Sequence, residues 1–146
     1  MADIIRHAGA VWEGDLHHGD GTISTHSGAL VDQPYSFSTR FENEPGTNPE
    51  ELIAAAHAAC YSMALVGTLA SEGYRPERIR TQAAITLVPR QGGGYRITKA
   101  HLEVRVRVPD IDEDTFQQIA AKADGGCPVS NLLRCGLQID REAELD

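Results

Sequence analysis

Residues 52–69 form a long, Ala-rich apolar run that is almost all Ala, Leu, Ile, Val, Met and Cys, and nothing else constrains the fold of this chain as strongly. The run opens on a dense helix-start signal. Asn48 can cap, Pro49 suits the first helical position, and Glu50 and Glu51 set negative charge against the positive end of the helix dipole. Capping accounts for at least one of the two glutamates. Gly73, just past Glu72, supplies a left-handed stop. A helix that is apolar around most of its circumference has to be buried on most sides, and its many alanines let a second helix approach closely.

The segments on either side of this helix read mostly as strands. Before it, residues 10–12 and 22–26 flank a turn at His18-Gly19-Asp20-Gly21, and residues 35–41 alternate with period two. As a strand, the last segment puts Tyr35, Phe37, Thr39 and Phe41 on one face and Ser36, Ser38 and Arg40 on the other, so Arg40 leaves the aromatic face. After the helix, residues 79–88 and 97–108 read as strands joined at Gly92-Gly93-Gly94, with Leu102, Val104, Val106 and Val108 inward. Asp112 caps a helix with Phe116, Ile119, Ala120 and Ala123 on one face, closed by Gly125-Gly126. A short helix with Cys127 at its N-terminal boundary follows, and residues 137–140 read as a last strand. Strand runs and helix runs segregate, so the class is α+β.

A chain of 146 residues is sized for one domain and buries roughly two thirds of its unfolded surface, enough for a core without a disulfide scaffold. The N-terminus has no apolar segment of the signal-peptide kind. No stretch is read as approaching the roughly 18 to 20 apolar residues of a membrane span. The expectation is a soluble, cytoplasmic protein. Its three cysteines would rest as thiols in a reducing compartment, and a disulfide between two of them would be a transient, catalytic event. A formal net charge of −8 with no basic stripe argues against nucleic acid and anionic lipid as partners.

Cys60 and Cys127 are the candidate redox pair, one in mid-helix and one at a turn. A free thiol is only a few per cent ionised at neutral pH and apolar burial lowers that fraction, so Cys60 needs a cation. The dipole of its own helix fades within about one turn and does not reach it. His57 and Arg40 are the candidates. His57 reads first as a hydrogen-bonded structural residue, and Arg40 has the permanent, planar charge that can hold a thiolate and a carboxylate together. Cys127 faces unpaired helix N-terminal amides, which favour a thiolate. Cys135 reads as a small core residue. A metal site built from His57, Cys60, Cys127 and His101 or Cys135 lacks the short paired-ligand spacing of structural zinc. A non-catalytic protein that binds an apolar ligand is the other alternative.

Together, Gly46-Thr47-Asn48-Pro49-Glu50-Glu51-Leu52, Ala55-Ala56-His57-Ala58-Ala59-Cys60, Ser62-Met63-Ala64 and Cys127-Pro128-Val129-Ser130 resemble the signature segments of the OsmC family of thiol peroxidases. Trp12-Glu13-Gly14-Asp15 and the segment 34–42 extend the likeness over nearly the whole chain and favour the OsmC branch over the organic hydroperoxide resistance branch. The resemblance implies a single OsmC-like domain over residues 1–146. It implies a homodimer of two intertwined subunits, with central helices enclosed by antiparallel sheets and active sites at the subunit interface. It implies Cys60 as peroxidatic cysteine, Cys127 as resolving cysteine, Arg40 as the residue stabilising the thiolate and Glu50 as the carboxylate orienting Arg40. It also implies a small-molecule hydroperoxide substrate, a dithiol reductant such as a lipoylated protein, and no cofactor. Glu50 and Cys60 would stand about 15 Å apart along a straight helix. Glu50 is therefore expected to reach the site from the partner subunit or through a break in the helix.

Overall fold

The computed structural model describes residues 1–145. Two compact units divide the chain, one covering Met1–Leu52 and one beginning at Ile53. Helices and antiparallel strands are mixed along the chain, so the class is α+β as expected.

In the first unit, β1 (Ala8–Glu13), β2 (Asp20–Thr25) and β3 (Gln33–Tyr35) form an antiparallel sheet in that order. Gly21 pairs with Trp12 on one side and Tyr35 on the other, and those two rings meet edge to face at 5.5 Å. A Cβ at position 21 would collide with both rings, which is why the position is a glycine. The turn between β1 and β2 is tied by Asp15, whose Oδ1 accepts from the amides of His17 and His18 at 2.9 Å.

The strand expected over residues 35–41 is only half a strand. β3 ends at Tyr35, and Phe37–Phe41 is a short helix, α1. The override is a reciprocal cap. The Thr39 amide donates to Ser36 Oγ at 3.2 Å, and the Ser36 amide donates to Thr39 Oγ1 at 2.8 Å. On the helix, Phe37 and Phe41 come together with ring centroids 4.8 Å apart, and the Arg40 guanidinium lies 5.0 Å from the Phe41 centroid. Arg40 thus sits beside an aromatic ring rather than across a sheet from it.

Helix α2 (Pro49–Ser71) begins where the capping signal put it, with the Glu51 amide donating to Asn48 Oδ1 at 2.8 Å. It stops at Gly73, φ +88°, where the Tyr74 amide returns to the Leu69 carbonyl at 2.9 Å. Its buried stripe is His57, Tyr61, Leu65 and Leu69, spaced at i, i+4. Burial on most sides is not met within one chain: Met63 is 77% exposed and Val66 45%. By length and composition alone α2 would also suffice to cross a membrane, contrary to the sequence expectation.

In the second unit, β4 (Arg78–Pro89) and β5 (Tyr95–Arg107) form a long hairpin turned by Gly92, Gly93 and Gly94, all at positive φ. Helix α3 (Glu113–Gly126) is capped by Asp112, which accepts from the Thr115 amide at 2.8 Å, and α4 (Pro128–Cys135) follows directly. Tyr61, Leu65, Leu69, Ile119, Ala123 and Cys127 form the core, with Leu102, Val104, Val106 and Val108 of the hairpin side packed against it. No strand forms over residues 137–140. Gly136, φ +73°, caps α4 and turns the chain away, and β4 and β5 pair only with each other, so the segment has no ladder to join.

Candidate active site

Cys60 lies on α2, half-buried, one residue before the core residue Tyr61. Cys127 is wholly buried and occupies a single residue between two helices, as the C-cap of α3 and the N-cap of α4. Pro128 at the first helical position needs no amide partner, and the Ser130 amide donates to Cys127 Sγ at 3.5 Å. Both thiols are free, and they stand close enough to share a hydrogen bond, each shifting the other's ionisation. Burial pushes the Cys60 thiol up, and Cys127 adds to that shift against a hydrogen bond from the Val129 backbone. Burial also opposes ionisation of Cys127, but hydrogen bonds from the Ser130 backbone and hydroxyl, from Cys60 and from the Val129 backbone outweigh it and bring the thiol below its usual range. The amide donors of α4 serve Cys127 more fully than Cys60, and among the described residues no cation contributes to the Cys60 shift. Cys135 is exposed at the far end of α4, not a core residue as expected.

Arg40 and Glu50 form the second pair, within the first unit. Arg40 Nη2 donates to Glu50 Oε1 at 2.6 Å, and Nε lies 3.2 and 3.1 Å from the two carboxylate oxygens. Glu50 is buried, and its side chain is spent on Arg40 rather than on capping. Asn48 caps the helix by accepting from the Glu51 amide, and the Glu51 carboxylate accepts from Thr47 Oγ1 at 2.9 Å. The pairing of Glu50 with Arg40 occurs within one chain, and α2 runs on from Glu50 without a break.

Sequence reasoning left His57 open and gave Ser130, Asp124 and Arg134 no role. In the structure His57 Nε2 and Ser130 Oγ are 2.8 Å apart, both residues buried. Asp124 is ion-paired with Arg134 and hydrogen-bonded by the Ser130 hydroxyl. These residues line a cleft of about 540 Å³ with Tyr61 and Phe116. Burial pushes His57 below its ordinary value, against the pull of the Asp124 carboxylate, so its imidazole is neutral at neutral pH. The available signal was positional. Ser130 is the third residue of a helix capped by Cys127, where its amide and hydroxyl both face the cap.

Comparison with known proteins places the chain in a family. Residues 41–142 match the family model described as OsmC-like protein. The chain is 53% identical over 131 residues to Peroxiredoxin OsmC of Escherichia coli (strain K12), covering 90% of this chain and 91% of that protein. It is 32% identical over 97 residues to an organic hydroperoxide resistance protein of Xanthomonas axonopodis pv. citri (strain 306), 64% of each chain. Among solved structures, an organic hydroperoxide resistance protein OsmC from Legionella pneumophila superposes with a TM-score of 0.70 at 22% identity, over 92% of this chain and 93% of that one, a likeness of fold. A family model that matches residues 41–142 and a relative 53% identical over 90% of this chain lead to one conclusion: the chain belongs to the OsmC-like protein family.

Proposed function

We propose that this chain is a cysteine-based peroxidase that reduces organic hydroperoxides, and hydrogen peroxide more weakly, to alcohols and water in the cytoplasm. The observation that carries the reading is the meeting of two free thiols from separate elements, with Cys127 held by helix amides. The Cys60 thiolate attacks the distal peroxide oxygen, the O–O bond breaks, and the alkoxide leaves as alcohol after taking a proton. Cys60 is left as a sulfenic acid. Cys127 then attacks that sulfur, the S–O bond breaks, water leaves, and a disulfide remains for an external dithiol, such as a lipoylated protein, to reduce. No resident metal, haem or flavin enters this cycle. The names of the relatives, a peroxiredoxin and an organic hydroperoxide resistance protein, support the substrate class.

Cys60 needs a cation, because burial pushes its thiol up. We assign that task to Arg40, held in orientation by Glu50, with a second use in stabilising charge that develops on the peroxide oxygens. Ten residues of unbroken helix put Glu50 about 15 Å from Cys60 along α2, which favours supply of the Arg40–Glu50 pair by the partner of a homodimer. Cysteine substitution tests the cycle. Cys60→Ser should abolish peroxide consumption, Cys127→Ser should react once and stop, and Cys135→Ser should keep turning over. Single-turnover assays with a sulfenic-acid probe and peptide mapping read the outcome, and a Cys60–Cys135 disulfide would overturn the assignment.

A further inference from the structure

We infer that His57, acting through the Ser130 hydroxyl, takes the proton from Cys127 when the disulfide forms. The inference rests on the resolving role proposed for Cys127. Its basis is a run of neighbouring buried groups: the Ser130 amide donates to Cys127 Sγ at 3.5 Å, the Ser130 hydroxyl lies close enough to shift the ionisation of that thiol, and Ser130 Oγ is 2.8 Å from His57 Nε2. Cys127, Ser130 and His57 are all buried, with His57 and Ser130 at the wall of the cleft. Among the described residues His57 Nδ1 has no hydrogen-bond partner, and Ser130 is the residue that engages Nε2. An Nδ1–H tautomer leaves Nε2 as the acceptor that a proton relay requires.

The proton balance is simple. Cys127 S–H gives its proton to Ser130 Oγ while Ser130 O–H gives its own to His57 Nε2. The thiolate forms the S–S bond with the Cys60 sulfenic sulfur, the S–O bond breaks, and the departing hydroxide takes the proton back from the imidazolium and leaves as water. Ser130 touches the reacting thiol, and His57 acts only through it, as a positioning residue. Asp124 competes with His57 for the single Ser130 hydroxyl proton, but hydrogen bonding and its ion pair with Arg134 hold it below the usual carboxylate range. The neutral imidazole is the stronger base of the two. The other ionisable groups around the ring are Tyr61 and Cys60 of α2 and Arg134 of α4, while β5 brings only Ala100, Leu102 and Val104 to the cleft.

The test separates the two half-reactions in the full-length protein, following sulfenic-acid formation and disulfide formation after one equivalent of an alkyl hydroperoxide across a range of pH. In the parent, disulfide formation should fall away at acid pH as His57 becomes protonated. His57→Gln should slow the disulfide step at least tenfold more than the sulfenic-acid step near pH 7. It should also replace the acid limb by a rate that rises with pH as the Cys127 thiol ionises unaided. Ser130→Ala, which keeps the backbone amide on Cys127 but removes the bridge, should reproduce that profile, and Ser130→Thr should restore the parent's. Equal slowing of both steps, or an unaltered pH profile for disulfide formation in the variants, would overturn the relay. Absence of any sulfenic acid in the parent would instead defeat the peroxidase reading. If His57→Gln does not fold, the serine pair decides the matter alone.

Discussion

At the level of single residues, two pairs stand out, one in each unit, each with its own electrostatic logic. Arg40 meets Glu50 in near-bidentate geometry, yet the arginine side chain is 36% exposed. Solvent screening therefore keeps the pair's contribution to stability small, and its value lies in orientation. On the proposed mechanism, Arg40→Ala should raise the Cys60 thiol pKa and lower peroxide reactivity more than tenfold at neutral pH, with folding intact, since one pKa unit corresponds to about 1.4 kcal/mol. An unchanged pH profile for alkylation of Cys60 in that variant would remove Arg40 from the mechanism. His57 makes a different prediction. Its folded pKa is depressed by burial, so below about pH 6.5 the unfolded chain binds a proton that the folded chain resists. Stability should fall as pH drops through that window, by at most about 1.4 kcal/mol per pH unit, and His57→Gln should flatten the fall in urea titrations. Cys60 and Cys127 were legible as candidates from their places in mid-helix and at a cap, and the pairing of Arg40 with Glu50 through the family resemblance. Ser130 and Asp124 were not, because their importance arises only when α3 and α4 fold back beside α2 and bring His57 to them.

Among the elements, α2, α3 and the β4–β5 hairpin could be read to within a residue or two, since caps, glycines and periodicity all pointed the same way. The segment ending at Phe41 could not. Its alternating aromatics fit a strand, but Phe37 and Phe41 are also four apart, and the Ser36–Thr39 cap decides for a helix that a two-residue periodicity count never registers. That cap is testable. Ser36→Ala leaves the Thr39 amide without its acceptor and should lower stability by about 1 kcal/mol in urea unfolding. If the reciprocal cap holds the helix, Ser36→Thr should recover most of the loss.

For the whole molecule, the central helix is the unresolved sum of the fold. One stripe of α2 is buried in the second unit's core, while Met63 and Val66, with Ala55, Ala56, Ala59 and Ala70, stay exposed on a helix of strongly apolar composition. The sequence carried the need for burial but not the identity of what does the burying, because an apolar surface does not say whether its cover comes from the same chain. On the homodimer proposed here, Met63→Glu should yield a folded monomer in sedimentation velocity, and peroxidase activity should disappear with the dimer while the circular dichroism spectrum persists. A dimer that survives the substitution would put the interface elsewhere. Cys127 has a final consequence. The same sulfur that would close the disulfide also ends α3 and begins α4, a helix of eight residues that is too short to persist on its own capping and packing apart. On the proposed cycle each oxidation would weaken the acceptor that the Ser130 amide now uses, and each reduction would restore it. The catalytic cycle would thus also be a cycle of local order, in which the arrival of oxidant loosens the far side of the molecule's only wholly buried thiol and the reductant re-knits it.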